Sequence, residues 1–115
     1  MANNDDILQE IEELGRLTPQ QELILYNIAL KQDELGREST NMLYEKLQQD
    51  EDLQALIDRG LLTFELFNHG SKHEIASLYV TLKGTRYSIM FADETSRRRK
   101  LNPAGAPWEA SGPLL

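Results

Sequence analysis

Between Asp5 and Leu17 apolar residues recur at three- and four-residue intervals, at Ile7, Leu8, Ile11, Leu14 and Leu17, with Asp, Glu and Gln between them. That spacing gathers them on one side of a helix and predicts an amphipathic helix over 5–17, weakened near its end by Gly15. Thr18 as N-cap, Pro19 at the first helical position and Gln21 at the capping-box position then form a start signal. A second helix is expected from Pro19 to about Leu35, burying Leu23, Ile24, Ile28, Leu30 and Leu35, with Gly36 as a left-handed stop. A short third helix follows, capped by Ser39 or Thr40 and turning Met42, Leu43 and Leu47 inward. The polar run Gln48-Gln49-Asp50-Glu51-Asp52 ends it, and Asp50 caps a fourth helix that buries Leu53, Leu56 and Ile57 and stops at Gly60.

The period then changes. Leu62-Thr63-Phe64-Glu65-Leu66 and Leu78-Tyr79-Val80-Thr81-Leu82 alternate apolar and polar, and the turn-rich Asn68-His69-Gly70-Ser71-Lys72 lies between them. Two strands joined in this way predict a β-hairpin. Thr81 is a good N-cap, and from Leu82 to about Arg99 the chain reads as helix, with Tyr87, Met90, Phe91 and Glu94 along one side. From Leu101 onward three prolines and two glycines forbid regular structure. The expected organisation is an N-terminal amphipathic helix over 1–17, a domain over 18–100 and a Pro/Gly-rich tail over 101–115. The expected class is α+β, mostly α.

Composition narrows the classes. At 115 residues one core is expected, and the 40% apolar and 27% charged fractions are those of an ordinary globular chain. The absence of cysteine excludes a disulfide framework, a thiolate zinc site and a cysteine nucleophile. No apolar run reaches the ~18 residues of a membrane span, and the acidic Asn3-Asn4-Asp5-Asp6 start is unlike a signal peptide, so no membrane partner and a cytoplasmic location are expected. No phosphate loop, nucleophile elbow or His-carboxylate cluster is present, so neither an enzyme, nor catalytic residues, nor a cofactor is expected. His69 and His73 have the spacing of a helical metal pair, but Gly70 and Ser71 place them across a turn and no third ligand is evident, so no metal is expected.

Charge is unevenly placed. The net −7 divides into residues 1–68 with 5 basic and 15 acidic side chains, residues 69–100 with 7 and 3, and a tail whose one charge is Glu109. Such polarity lets one basic edge meet an anionic partner while the rest stays anionic.

Three helices, Asp58-Arg59-Gly60-Leu61-Leu62, a hairpin, and Thr81-Leu82-Lys83-Gly84-Thr85-Arg86 leading into a helix follow one another in a familiar order. This resembles the winged helix-turn-helix domain, particularly the MarR-like and PadR-like bacterial transcription regulators, over about residues 19–92. The resemblance implies a winged-helix fold with an extra N-terminal helix, double-stranded DNA as partner, and a homodimer formed by helices outside the winged unit. The implied regulator grips phosphates through His69, Lys72 and His73 at the wing, Lys83 and Arg86 beside it, and Arg97, Arg98, Arg99 and Lys100. The implied dimer seam is Ile7, Ile11 and Leu14, with Tyr87, Met90 and Phe91. Each assignment has a plainer counterpart: the hairpin as an exposed turn, the basic run as favourable charge at a helix C-terminus, the apolar stripe as a helix folded on its own core. One departure points elsewhere. The would-be recognition segment 51–59 carries three acids and one arginine, which faces phosphate unfavourably, so an adaptor whose acidic helices dock on a basic protein, or mimic DNA, is the alternative.

Overall fold

The computed structural model describes residues 5–35, 40–68 and 73–101. In chain order they form α1 (Asp5–Leu14), α2 (Pro19–Leu35), β1 (Asn41–Leu43), α3 (Tyr44–Gln49), α4 (Glu51–Asp58), β2 (Leu62–Phe67), β3 (Ile75–Val80), α5 (Leu82–Met90) and α6 (Ala92–Leu101). The class is α+β and mostly helical, with one antiparallel sheet in the order β1-β3-β2 among the described residues. His69, Gly70, Ser71 and Lys72 of the expected turn lie outside the described residues, as do Gly36, Ser39 and 102–115.

Helix α2 is the centre of the packing. Its start is the reciprocal capping box that Thr18 and Gln21 predict: the Gln21 amide donates to Thr18 Oγ1 and the Thr18 amide to Gln21 Oε1, each at 3.1 Å. Leu23, Ile24, Leu25 and Ile28 are buried against β3, α4, α5 and α6. Leu47, Leu53, Leu56, Leu61, Leu62 and Leu78 complete a core to which α1 adds Ile7 and α5 adds Tyr87. Each wholly buried aliphatic side chain contributes roughly 1.5–3 kcal/mol through loss of water-exposed surface. The hairpin pairs Leu62 with Val80 and Phe67 with Ile75, so the period-two pattern of β2 puts Leu62 inside and Thr63 outside.

Four expectations are corrected. First, the short third helix is preceded by β1, and Met42 faces the core from a strand opposite Ala76. Thr40 caps no helix. Its hydroxyl donates to the Leu78 carbonyl at 2.8 Å, which ties the entry of β1 to β3. Second, the helix expected over 82–99 breaks at Phe91 (φ −113°, ψ 20°) into α5 and α6. Third, β3 covers 75–80 and stops before Leu82, because Thr81 leaves the ladder to cap α5 through its Oγ1, which accepts from the Gly84 amide at 3.0 Å. Leu82 is consequently exposed. Fourth, α1 ends at Leu14, where Gly15 turns the chain at φ +85°. Leu17 is buried all the same, from the loop.

Candidate nucleic-acid interface

The segments 58–62 and 81–86 meet in space. At the end of α4 the Gly60 amide donates to the Ile57 carbonyl and the Leu61 amide to the Leu56 carbonyl, both at 3.0 Å, with Gly60 at φ +72°. This is a Schellman turn, which needs a left-handed residue and turns the helix into β2. Thr81 then clasps it: its hydroxyl donates to the Gly60 carbonyl at 2.7 Å and its amide to the Leu61 carbonyl at 3.2 Å. Gly84 lies so close that a Cβ there would stand 2.0 Å from the Leu61 carbonyl oxygen. Glycine is therefore required for approach, and this approach sets Lys83 beside the last turn of α4.

Lys83 Nζ donates to the Arg59 carbonyl at 3.2 Å and to Glu10 Oε1 on α1 at 2.6 Å. The other oxygen of Glu10 lies 3.5 Å from a terminal nitrogen of Arg59. One helical turn earlier, Asp6 lies 3.7 Å from Arg86. Three cations from the α4 terminus and α5 thus converge under two carboxylates on one face of α1. The Nε–H groups of Arg59 and Arg86 are buried and have no acceptor.

A second cluster joins α2, α5 and α6. The Glu22 carboxylate, 2% exposed, accepts on Oε1 from Arg16 at 3.1 Å and Arg98 at 3.1 Å. On Oε2 it accepts from Arg16 Nε at 2.7 Å and the Tyr87 hydroxyl at 2.9 Å. That hydroxyl in turn accepts from the Leu17 amide at 2.9 Å. Arg16 lies 3.9 Å over the Phe91 ring and reaches Glu94 at 2.8 Å, while Arg98 reaches Glu94 at 3.3 Å. Hydrogen bonds donated to the Glu22 and then the Glu94 carboxylate hold the Arg16 guanidinium charged well above its usual range. Burial, opposed by the Leu17 amide and aided by Glu22, pushes the Tyr87 hydroxyl up to about 12. The Arg16 hydrogen bond holds Glu94 below the usual carboxylate range.

These two clusters take up part of the expected site. Lys83, Arg86 and Arg98 do not form one open basic rim, since each is engaged by a carboxylate of the same chain. Arg99 is exposed but donates from Nε to Asn27 at 2.6 Å. Arg97 and Lys100 are exposed on α6, and His73 is exposed just before β3. His69 and Lys72 lie outside the described residues. Of the residues expected at the dimer seam, Ile7 and Tyr87 are wholly buried within one chain, and Ile11, Met90 and Phe91 are half-buried against the same core. Leu14 alone of that set is exposed. An amphipathic stripe five apolar residues long found enough surface on its own domain to cover two of them.

Sequence reasoning missed Asp6, Glu10, Arg16, Glu22 and Arg59. All five lay inside segments read from the sequence, but none was read as a charge partner, and the partner of Arg59 is 49 positions away. Between α2 and α5 lies a groove of about 490 Å³ lined by Tyr26, Ala29, Leu30, Val80, Ile89 and Ala92, with Asp33 as its one formal charge among the described residues. It suits apolar contact and not phosphate. Among the described residues no three His, Asp or Glu side chains are placed to hold a metal ion, and no helix is long and apolar enough to cross a membrane. No family model, curated protein or solved structure matches the chain.

Proposed function

We propose that the chain is a winged-helix DNA-binding protein, a regulator that holds duplex phosphates through exposed cations and not by reading many bases. The observation that carries this reading is the order of elements: helix, short strand, two helices and a hairpin, with β3 between β1 and β2 in the sheet. In that order α3 and α4 stand as the helix-turn-helix and β2–β3 as the wing. The Schellman turn at Gly60 and the cap at Thr81 support it, because they fix the wing against α4. The exposed Arg97, Arg99 and Lys100, in the last turns of α6, are the cations best placed for phosphate. Pairing of two copies would double them; with Ile7 and Tyr87 inside the core, the exposed apolar side chains left for its seam among the described residues are Leu8, Leu14, Leu66, Leu82 and Ile89.

A second reading rests on the outward face of the helix-turn-helix. Glu51 and Asp58, seven apart on α4, are both exposed, as is Glu45 on α3. A negative stripe at that place suits a basic protein surface better than a major groove. Fluorescence anisotropy with a labelled 20-base-pair duplex and, separately, a labelled arginine-rich peptide, each at two salt concentrations, tests both readings. On the DNA reading the duplex binds with a steep salt slope, and Arg97→Ala/Arg99→Ala/Lys100→Ala flattens it by up to about 3. Binding of the peptide alone, lost in Glu45→Gln/Glu51→Gln/Asp58→Asn, overturns the DNA reading in favour of the adaptor.

A further inference from the structure

The cluster of Arg59, Lys83 and Arg86 holds more donors than its carboxylates can use. Glu10 Oε1 is taken by Lys83 at 2.6 Å, and its Oε2 reaches Arg59 only at 3.5 Å. Asp6 stands 3.7 Å from Arg86, beyond hydrogen-bond reach. The Nε–H of both arginines is left without an acceptor although buried. A guanidinium presents five N–H donors in a rigid fork, and two such forks with an ammonium call for an anion with three or four oxygens around one centre. A carboxylate has two in a plane.

The charge count agrees: three cations face two carboxylates, in a chain whose net charge is −7. The three cations also come from positions fixed by the backbone clasp, since Gly84 against Leu61 sets Lys83 and Arg86 beside Arg59. The cover is anchored at few points: of α1 only Ile7 is wholly buried, Ile11 is half-buried against the core, and Leu8 and Leu14 are exposed. Asp6 and Glu10, four apart, occupy the cations much as two backbone phosphates would.

We propose that Arg59, Lys83 and Arg86 form a phosphate-binding site over which α1 lies as an internal competitor, with Glu10 in the place of the bound phosphate. The ligand is a phosphate-bearing anion, either a nucleic-acid backbone or a free phosphate compound. The site stands on its own geometry; only its use on duplex DNA rests on the function proposed above.

The test replaces the competitor and watches the unpartnered donors. Full-length wild type, Glu10→Gln and Glu10→Gln/Lys83→Met are titrated with inorganic pyrophosphate at constant ionic strength, following the arginine Nε–H resonances by nuclear magnetic resonance. The proposal expects saturable shifts of Arg59 and Arg86 in Glu10→Gln, about tenfold tighter than in wild type, and their loss when Lys83 is also replaced. Equal response in wild type and Glu10→Gln, no saturable shift, or a shift indifferent to Lys83 overturns it. Should Glu10→Gln fail to fold, Asp6→Asn, at an exposed position, serves as the second variant and is expected to tighten binding at Arg86 alone. The same variants with a labelled duplex distinguish the sources: a gain lost with Lys83→Met identifies backbone phosphate, and pyrophosphate binding without a duplex gain identifies a free phosphate compound. Failure of the DNA reading itself shows instead as a duplex salt slope unmoved by the α6 substitutions.

Discussion

Glu22 and Glu10 are both acids set among cations, and they differ in how far each satisfies its neighbours. Glu22 is 2% exposed and accepts four hydrogen bonds, two on each oxygen, from Arg16, Arg98 and Tyr87. Glu10 is 11% exposed, binds one ammonium closely and one guanidinium loosely, and leaves two buried Nε–H groups unanswered. The first arrangement is saturated and has no room for another anion. The second is a set of oriented donors with an imperfect occupant. A buried charge network of the first kind holds elements together; one of the second kind can exchange its acid for a better acceptor.

The largest separation of the two is expected from Glu22→Ala, which removes the shared acceptor of a buried tyrosine hydroxyl and of two arginines that keep only Glu94. It should cost about 3–5 kcal/mol in denaturant unfolding, and a loss under about 1 kcal/mol would show that the network contributes little. Gly84→Ala comes next, because the added methyl meets the Leu61 carbonyl, a backbone atom that cannot move aside. About 3 kcal/mol is expected, and the unfolding midpoint measures it. Glu10→Ala should cost less, about 1–2 kcal/mol, since Glu10 makes one close ion pair with Lys83 and only a loose one with Arg59. An equal cost for Glu10→Ala and Glu22→Ala would erase the distinction. Thr81→Ala should cost about 1 kcal/mol through the lost cap.

Acidity adds a finer comparison. The Tyr87 hydroxyl is pushed up to about 12, chiefly by burial, so the fold favours its neutral form. That contribution is fully present below the ordinary tyrosine range near pH 10 and is lost as the pH rises through about 12. Wild type should therefore lose stability over that window relative to Tyr87→Phe, and parallel curves would remove Tyr87 from the network. Glu94 titrates the opposite way: held below the usual carboxylate range by Arg16, it supports the fold above that range and ceases to as the pH falls.

What the chain discloses about itself depends on sequence distance. The capping box at Thr18 and Gln21, the stop at Gly60 and the cap at Thr81 are local devices, and each was readable from neighbouring residues. Strand β1 was not, because Met42 turns inward under either period and three residues carry too little pattern to choose between helix and strand. The break at Phe91 has no glycine or proline to announce it. It is made by tertiary contacts, with Phe91 under Arg16 and α6 turned so that Arg98 reaches Glu22. The charge clusters were the least legible. Lys83 and Glu10 are 73 positions apart, and Arg98 and Glu22 are 76 apart, so the basic segments read as open when taken alone.

Thermal unfolding of Glu10→Gln and Glu22→Gln, each in chloride and in pyrophosphate at equal ionic strength, puts the contrast between the two acids to its most direct trial. Pyrophosphate should restore the midpoint lost by Glu10→Gln and leave Glu22→Gln where chloride left it. Restoration of both variants, or of neither, would contradict the account.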